Sequence, residues 1–351
     1  FSLLKDDFKE LSANTKNKFS NKKITINNSN IFFKDNLGEV SSIIKISNAV
    51  IFFDRKKLLN LIDLRGSVFN IPFSLDYQHT LNSKNNKRIE IVADNLRLKI
   101  INESFKLDKN LTTGTNIISI LNSTVNTKFN NLDEVITFES GSSRIQNSKI
   151  NYNGRLAINP FDLDLKINLD NYKISNLLTS NSIINEFIKS KLLFNENISI
   201  KTSININSKI RNKIFHDANI KFNILNGKIN FDNTIFTNDD IGLLKITNSD
   251  LFLKNDKLNL AANLSIDIKD IDKLFSFLNT SKKSRKDFKN VKLNIIYDLL
   301  SNQIEFKDIK IDNKGVSDQF QNITEDLTDN NSNNLTKSRG VLNKLINLYE
   351  G

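Results

Sequence analysis

Strict alternation of apolar and polar residues recurs along the chain, the mark of strands with one greasy and one wet face. The cleanest run is Leu258, Leu260, Ala262, Leu264, Ile266 and Ile268, interleaved with Asn259, Ala261, Asn263, Ser265 and Asp267. Leu163, Leu165, Ile167 and Leu169 alternate with Asp162, Asp164, Lys166 and Asn168. Ile198, Ile200, Thr202, Ile204 and Ile206 alternate with Ser199, Lys201, Ser203 and Asn205. Similar runs occupy Ile89–Ile100, Ile220–Ile224 (with Phe222) and Val291–Tyr297 (with Leu293 and Ile295).

Turn chemistry joins these runs into hairpins. Asn226-Gly227 separates Ile220–Leu225 from Lys228–Phe231, which carries Ile229 and Phe231; both turn residues tolerate φ > 0, so this is the strongest short-range hairpin signal. Asn255-Asp256 and Ser301-Asn302 play the same part before Leu258–Ile268 and Gln303–Phe306. Such short links force antiparallel neighbours, hence a meander. The two prolines leave strands free to pair, and ten glycines are too few for the repeated tight turns of propellers or β-helices. Helical periodicity is sparse: Ile174–Phe194 with Ser175 as cap, Ile271–Leu278 entered from Asp270, and Arg55–Leu64. Asp312–Thr336 reads as a polar linker. The amphipathic Val341–Leu348 that follows is a helix suited to a sheet edge, a partner or a membrane. The expected organisation is a lead segment (1–23), β-groove repeats (24–170), a helical insertion (171–195), a β-groove module (196–312), and a linker with its short helix (313–351).

About fifteen such strands at ~4.8 Å each would extend one apolar surface about 70 Å along the hydrogen-bonding direction. Soluble monomers rarely expose more than a few hundred Å² of contiguous apolar surface, so this face needs a cover. It can meet a second sheet as a sandwich, close as a barrel facing bilayer, or curl into a trough filled by hydrocarbon. Sandwich corners rich in Gly and Pro are lacking. Barrel girdles are also lacking, with no Trp and five Tyr. The expectation is therefore mainly β: a long curved antiparallel sheet forming an open hydrophobic groove (a β-taco) with a few short helices. Its lining would be Leu163, Leu165, Ile167, Leu169, Ile198, Ile200, Ile204, Ile206, Ile220, Phe222, Ile224, Ile229, Phe231, Leu258, Leu260, Leu264, Ile266, Leu293 and Ile295.

Composition adds exclusions. The chain has 351 residues, no Cys and no Met. Disulfides, thiol catalysis and cysteine–zinc clusters are ruled out, and Phe1 is expected to be internal to a longer protein. No apolar run approaches the ~20 residues of a spanning helix. The net charge of +11 is scattered, with its densest cluster at Lys282, Lys283, Arg285, Lys286 and Lys289. That cluster is a solvated loop or a contact for acidic headgroups. Phosphate-binding and nucleophile-elbow motifs are missing, so no enzyme activity and no cofactor is expected. His79 and His216 are the only histidines, and no metal site is expected. His216, at a turn before a strand, reads as a surface residue; the pairs Asp162/Asp164 and Asp239/Asp240 read as solvated acids on polar faces or turns. Phenylalanines alternate with polar residues and so face away from the lysines, which argues against nucleic acid.

The chain resembles the AsmA-like family, relatives of TamB and of lipid-transfer proteins built as repeating β-grooves. The resemblance is best over 160–312. It runs from Pro160-Phe161-Asp162-Leu163-Asp164-Leu165 through Lys191-Leu192-Leu193, Asn226-Gly227-Lys228-Ile229 and Asn248-Ser249-Asp250-Leu251 to the helix–basic loop–strand stretch Asp272–Ile311. Residues 24–158, with Ile24-Thr25-Ile26-Asn27-Asn28-Ser29, carry a looser version, and Asn343–Gly351 is similar to an AsmA-like terminus. The resemblance implies a periplasmic protein held to the inner membrane by a segment upstream. Its partners would be phospholipid or another acyl lipid and envelope proteins, and its role lipid transport and outer-membrane biogenesis in Gram-negative bacteria. A structural or interaction β-sandwich of the envelope and an outer-membrane β-barrel remain the alternatives.

Overall fold

A computed structural model describes residues 18–34, 40–68, 70–81, 86–108, 110–145, 148–158, 160–172, 174, 194, 196, 198–208, 215–254, 257–299, 303–317 and 335–349. They are mainly β, with 21 strands and two α-helices among them. The chain divides into two compact units, Phe1–Asn153 and Gly154–Gly351.

In the first unit, successive strands pair antiparallel: β1 (Ile24–Lys34), β2 (Val40–Asp54), β3 (Leu59–Val68), β4 (Ile71–Thr80), β5 (Lys87–Ala93), β6 (Leu98–Lys106), β7 (Leu111–Ile120), β8 (Ser123–Leu132) and β9 (Val135–Ser140). The short β10 (Ser143–Ile145) meets β8 and β11 (Ser148–Ala157), which crosses the division between units. The helix expected over Arg55–Leu64 is instead a turn and β3. The Asp54 carboxylate accepts the N–H groups of Lys56 and Lys57 at 2.9 and 3.2 Å, and Leu58 takes φ 54°. This turns the chain tightly, and Asp54 then pairs with Leu59. A local carboxylate–backbone bond competes with helix at this position, and cross-strand pairing decides the outcome.

Cross-strand register sorts this unit's side chains. One face carries Leu64, Leu75, Ile91, Ile100, Ile118 and Val125 as a row of direct partners. The next row begins Ile62, Tyr77, Ile89 and then turns polar at Asn102, Asn116 and Thr127. The opposite face bears charge. Glu90 accepts from Lys99 and from Arg88, each at 2.7 Å, and Arg88 also meets Glu103. The Lys99 and Arg88 bonds hold the Glu90 carboxyl below the usual carboxylate range. These pairs are solvent-exposed and contribute little to stability.

The second unit is built from β12 (Phe161–Asp170), β13 (Ile198–Asn207), β14 (Asp217–Leu225), β15 (Lys228–Asn230), β16 (Ile235–Asn238), β17 (Gly242–Lys254), β18 (Lys257–Ile268), β19 (Asn290–Asp298), β20 (Gln303–Ile311) and β21 (Lys314–Gly315). Two helices join them, α1 (Ile271–Leu278) and α2 (Leu335–Leu348). The antiparallel meander is broken between β12 and β13, which are parallel, Phe161 opposite Ile198 through Asp170 opposite Asn207. A parallel neighbour requires a long crossover, and residues 171–197 supply it. The helix expected over Ile174–Phe194 lies almost wholly outside the described residues.

Hairpins follow the turn residues. Asn226 and Gly227 have φ 52° and 72°, closing β14 onto β15. Lys254 pairs with Lys257, and Asp298 with Gln303, across the Asn255-Asp256 and Ser301-Asn302 links, which are themselves outside the described residues. Residues 312–317 are no loose linker: Asp312 and Asn313, at φ 49° and 66°, turn β20 back onto β21. The Asp270 side chain accepts the Lys273 N–H at 3.0 Å and starts α1; Asn279, left-handed at φ 57°, ends it.

Two irregularities keep the apolar residues on one side. Between Thr247 and Asp250 two residues of β17 oppose one of β18, with Asn248 at φ 48°. This bulge moves the apolar parity from Leu244 and Ile246 to Leu251 and Leu253. A second bulge, with Asp308 at φ 49°, does the same on β20 between Phe306 and Ile309. Without them each strand would turn half of its apolar residues outward.

At Gly227 a Cβ would meet the Phe194 carbonyl oxygen at 2.7 Å on a backbone already left-handed. Gly227→Ala is expected to lower unfolding stability by about 1–2 kcal/mol, read by chemical denaturation, because strain adds to the close contact.

Candidate functional site

Chaining the registers of the second unit exposes its central feature. Leu163, Ile200, Ile224, Ile229, Leu251, Leu260, Tyr297 and Ile304 are successive direct partners across β12, β13, β14, β15, β17, β18, β19 and β20. Leu169, Ile206, Ala218, Phe236, Leu244, Ile266, Val291 and Ile311 form a second row, through β16 in place of β15. Each row spans about 34 Å at ~4.8 Å per strand. Between them lie Leu165, Ile167, Ile204, Ile220, Phe222, Ile246, Leu264, Leu293 and Ile295. The expected lining therefore shares one face of the sheet.

The chain's own atoms cover that face unevenly. Ile224, Ile229, Leu251 and Leu258 are 2% exposed or less and form a tight cluster flanked by Phe194, Phe222, Phe231 and Leu299. Phe222 and Phe231 stack tilted at 5.3 Å between centroids. Leu169, Ile204, Ile206 and Ile295 are also buried. Leu163, Leu165, Ile167, Ile198, Ile200, Ile220, Phe222, Phe231, Leu260, Leu264, Ile266 and Leu293 are half-buried. Burial raises the Tyr297 phenol above its ordinary pKa, with the Asp298 charge adding to it.

A polar clamp holds the gap between β15 and β16. Asp232 accepts the Ser249 N–H and hydroxyl, both at 2.7 Å, and the Ser249 oxygen accepts the Phe231 N–H at 2.7 Å. Thr234, fully buried, accepts the Lys221 N–H at 2.9 Å.

The β19–β20 end of the second row is capped. Leu274, Phe275 and Leu278 of α1 and Leu345 and Ile346 of α2 form a core with Ile241, Phe288, Ile309 and Ile311. Of the sites open to the C-terminal helix, the sequence suggested a sheet edge, a partner or a membrane; it docks within its own unit. Asn343 receives the Thr280 hydroxyl at 2.5 Å and donates to the Leu278 carbonyl at 3.0 Å. Tyr349 lies edge-on to Phe288.

The basic loop follows α1 directly. Lys282 and Lys283 begin a single 3-10 turn and are exposed, and Lys286 is half-buried. Arg285 is turned back onto Asp272 at 3.4 Å and onto the Phe275 ring at 5.6 Å. Lys282, Lys283 and Lys289 are thus exposed beside the capped end, with Lys286 half-buried.

The histidines depart from expectation. His216 is not on the surface but 3% exposed, at the point where β14 begins to pair with β16. Its backbone N–H donates to the Thr237 carbonyl at 3.1 Å. Its Nε2 lies 3.4 Å from Asp217 and 4.0 Å from Asp239. Asp239 and Asp240 occupy the turn between β16 and β17, as expected. Asp162 accepts from Arg155 and Ser199 on the wet face. His79 is buried on the first unit's apolar-bearing face, opposite Asn60.

No described helix is long and apolar enough to cross a membrane. Comparison of the chain with protein-family models, curated proteins and solved structures finds no match.

Ile224 and Leu264 separate packing from lining. Ile224→Ala is expected to cost about 2–5 kcal/mol in denaturant melts, since it opens a cavity in a sealed cluster. Leu264 belongs to neither buried cluster. Leu264→Arg should therefore keep the far-UV spectrum and a cooperative melt, whereas Ile224→Arg should abolish both.

Proposed function

We propose that this chain is an AsmA-like protein of the periplasm that binds lipid acyl chains along the apolar face of its sheet and so supports lipid transport and outer-membrane biogenesis. The observation that carries the reading is the pair of uninterrupted apolar rows, sealed at the Ile224 cluster and capped by α1 and α2, with a mostly half-buried lane between. A lane of aligned Ile, Leu and Phe suits hydrocarbon, which needs no directional partner. Each buried CH₂ contributes ~0.8 kcal/mol, so a chain of about sixteen carbons gains roughly 12 kcal/mol before ordering costs. Because the lining repeats from strand to strand, that gain changes little with position, and sliding meets small barriers. Headgroups lie toward the capped end, where Lys282, Lys283 and Lys286 offer charge to phosphate. Arg285, already engaged by Asp272, offers less. On this reading the chain catalyses nothing and needs no cofactor.

A second reading rests on the same cluster. Ile224, Ile229, Leu251 and Leu258 are as dry as any protein core, which suits a structural or interaction protein of the envelope.

Native mass spectrometry of the protein purified from a membrane-containing lysate separates the two. Lipid-mass adducts on the wild type, lost in folded Leu264→Arg, are the expected outcome. A folded wild type carrying no lipid from any membrane extract would overturn acyl binding. Lys282→Glu with Lys283→Glu should weaken sedimentation with phosphatidylglycerol vesicles several-fold, and 0.5 M salt should erase the difference, because exposed charge is screened.

A further inference from the structure

We propose that His216, Asp217 and Asp239 form a binding site for a divalent cation of the zinc class. The three side chains come from the start of β14 and from the turn between β16 and β17, and their ligand atoms lie within 4.8 Å of one another. The His216 side chain is 2% exposed, and neither of its ring nitrogens has a hydrogen-bond partner among the described residues. Burying an imidazole with both nitrogens unpaired is unfavourable. Here the unpaired Nε2 faces two carboxylate oxygens.

The geometry suits a small ion. Ligands at about 2.0–2.2 Å around a tetrahedral centre stand about 3.4 Å apart, and Nε2 to Asp217 Oδ2 is 3.4 Å. The Asp239 oxygen, at 4.0 Å, is slightly far, but its side chain is 66% exposed and free to turn inward. Asp217 is less free: its Oδ1 accepts the Ser208 N–H at 3.2 Å, leaving Oδ2 toward the imidazole.

The turn is likewise held. Asn238 accepts the N–H groups of Asp240 and Ile241 at 3.0 and 3.1 Å, and Lys269 donates to the Asp239 carbonyl at 2.6 Å. One imidazole and two carboxylates give a net charge of −2 against a dication, with the fourth position left to water from the exposed side. One nitrogen and two oxygens favour zinc, cobalt or nickel over magnesium or calcium, which prefer all-oxygen sets. An ion here would tie β14 to the β16–β17 turn, close to Phe236 and Leu244 in the middle of the second apolar row.

The test uses untagged, chelator-treated full chain. It has two histidines, so their imidazole resonances are separable in a long-range ¹H–¹⁵N spectrum. One equivalent of zinc should shift the His216 nitrogens and leave those of His79 in place. Titration calorimetry should give one zinc per chain, with affinity at least ten-fold weaker in Asp239→Asn, whose exposed position leaves the apo melt unchanged. His216→Gln should abolish binding; if it does not fold, Asp239→Asn and the His216 resonances decide alone. Cobalt should give intense visible bands of tetrahedral type. Zinc affinity equal in Asp239→Asn and wild type, unmoved His216 resonances, or calcium binding as tightly as zinc would each overturn the site.

Discussion

Backbone pairing in this protein is only useful if it keeps most apolar side chains on one side. Side chains alternate along a strand with a period of two, so a one-residue slip exposes a whole row. The second unit meets this constraint over eight strands at once, in two rows of direct partners. Its bulges at Asn248 and Asp308 serve the same end, since both fall where the apolar parity of the sequence changes. Asn and Asp tolerate the left-handed backbone that such a bulge uses, which explains why these two residue types stand there.

The constraint also decides what the helices do. A greasy face this broad must be covered, and α1 and α2 bury its β19–β20 end in a core of their own. The Ile224 cluster seals a second place from within the sheet. Between them most of the lining is half-buried, neither a core nor an open patch. Acyl binding and a dry structural role differ only in what fills that lane. The His216 cluster belongs to another part of the same economy: closing β16 onto β14 places an imidazole and two carboxylates beside the second row.

Strand positions were legible because alternation is a local property. Leu258–Ile268 and Leu163–Leu169 needed nothing beyond their own neighbours, and Asn226-Gly227 announced its hairpin through the φ angles those residues tolerate. The cap at Asp270 was legible for the same reason. Arg55–Leu64 misled because leucines in this stretch suit a helical face as well as a strand, and the Asp54 turn together with pairing to β2 and β4 settled it. Among the described residues the strands number 21 rather than about fifteen because short ones such as β10 and β21 carry almost no pattern of their own.

Side-chain alternation determined that this chain is mainly β and which residues share the apolar face, and turn residues placed three hairpins of the second unit. Tertiary structure alone decided which of those residues are sealed and which half-covered. It also decided that β12 and β13 run parallel, that the last helix folds back onto α1, and that His216 is buried between two aspartates. The reason is physical: alternation and turn preference act over a few residues, whereas burial depends on what arrives from far along the chain.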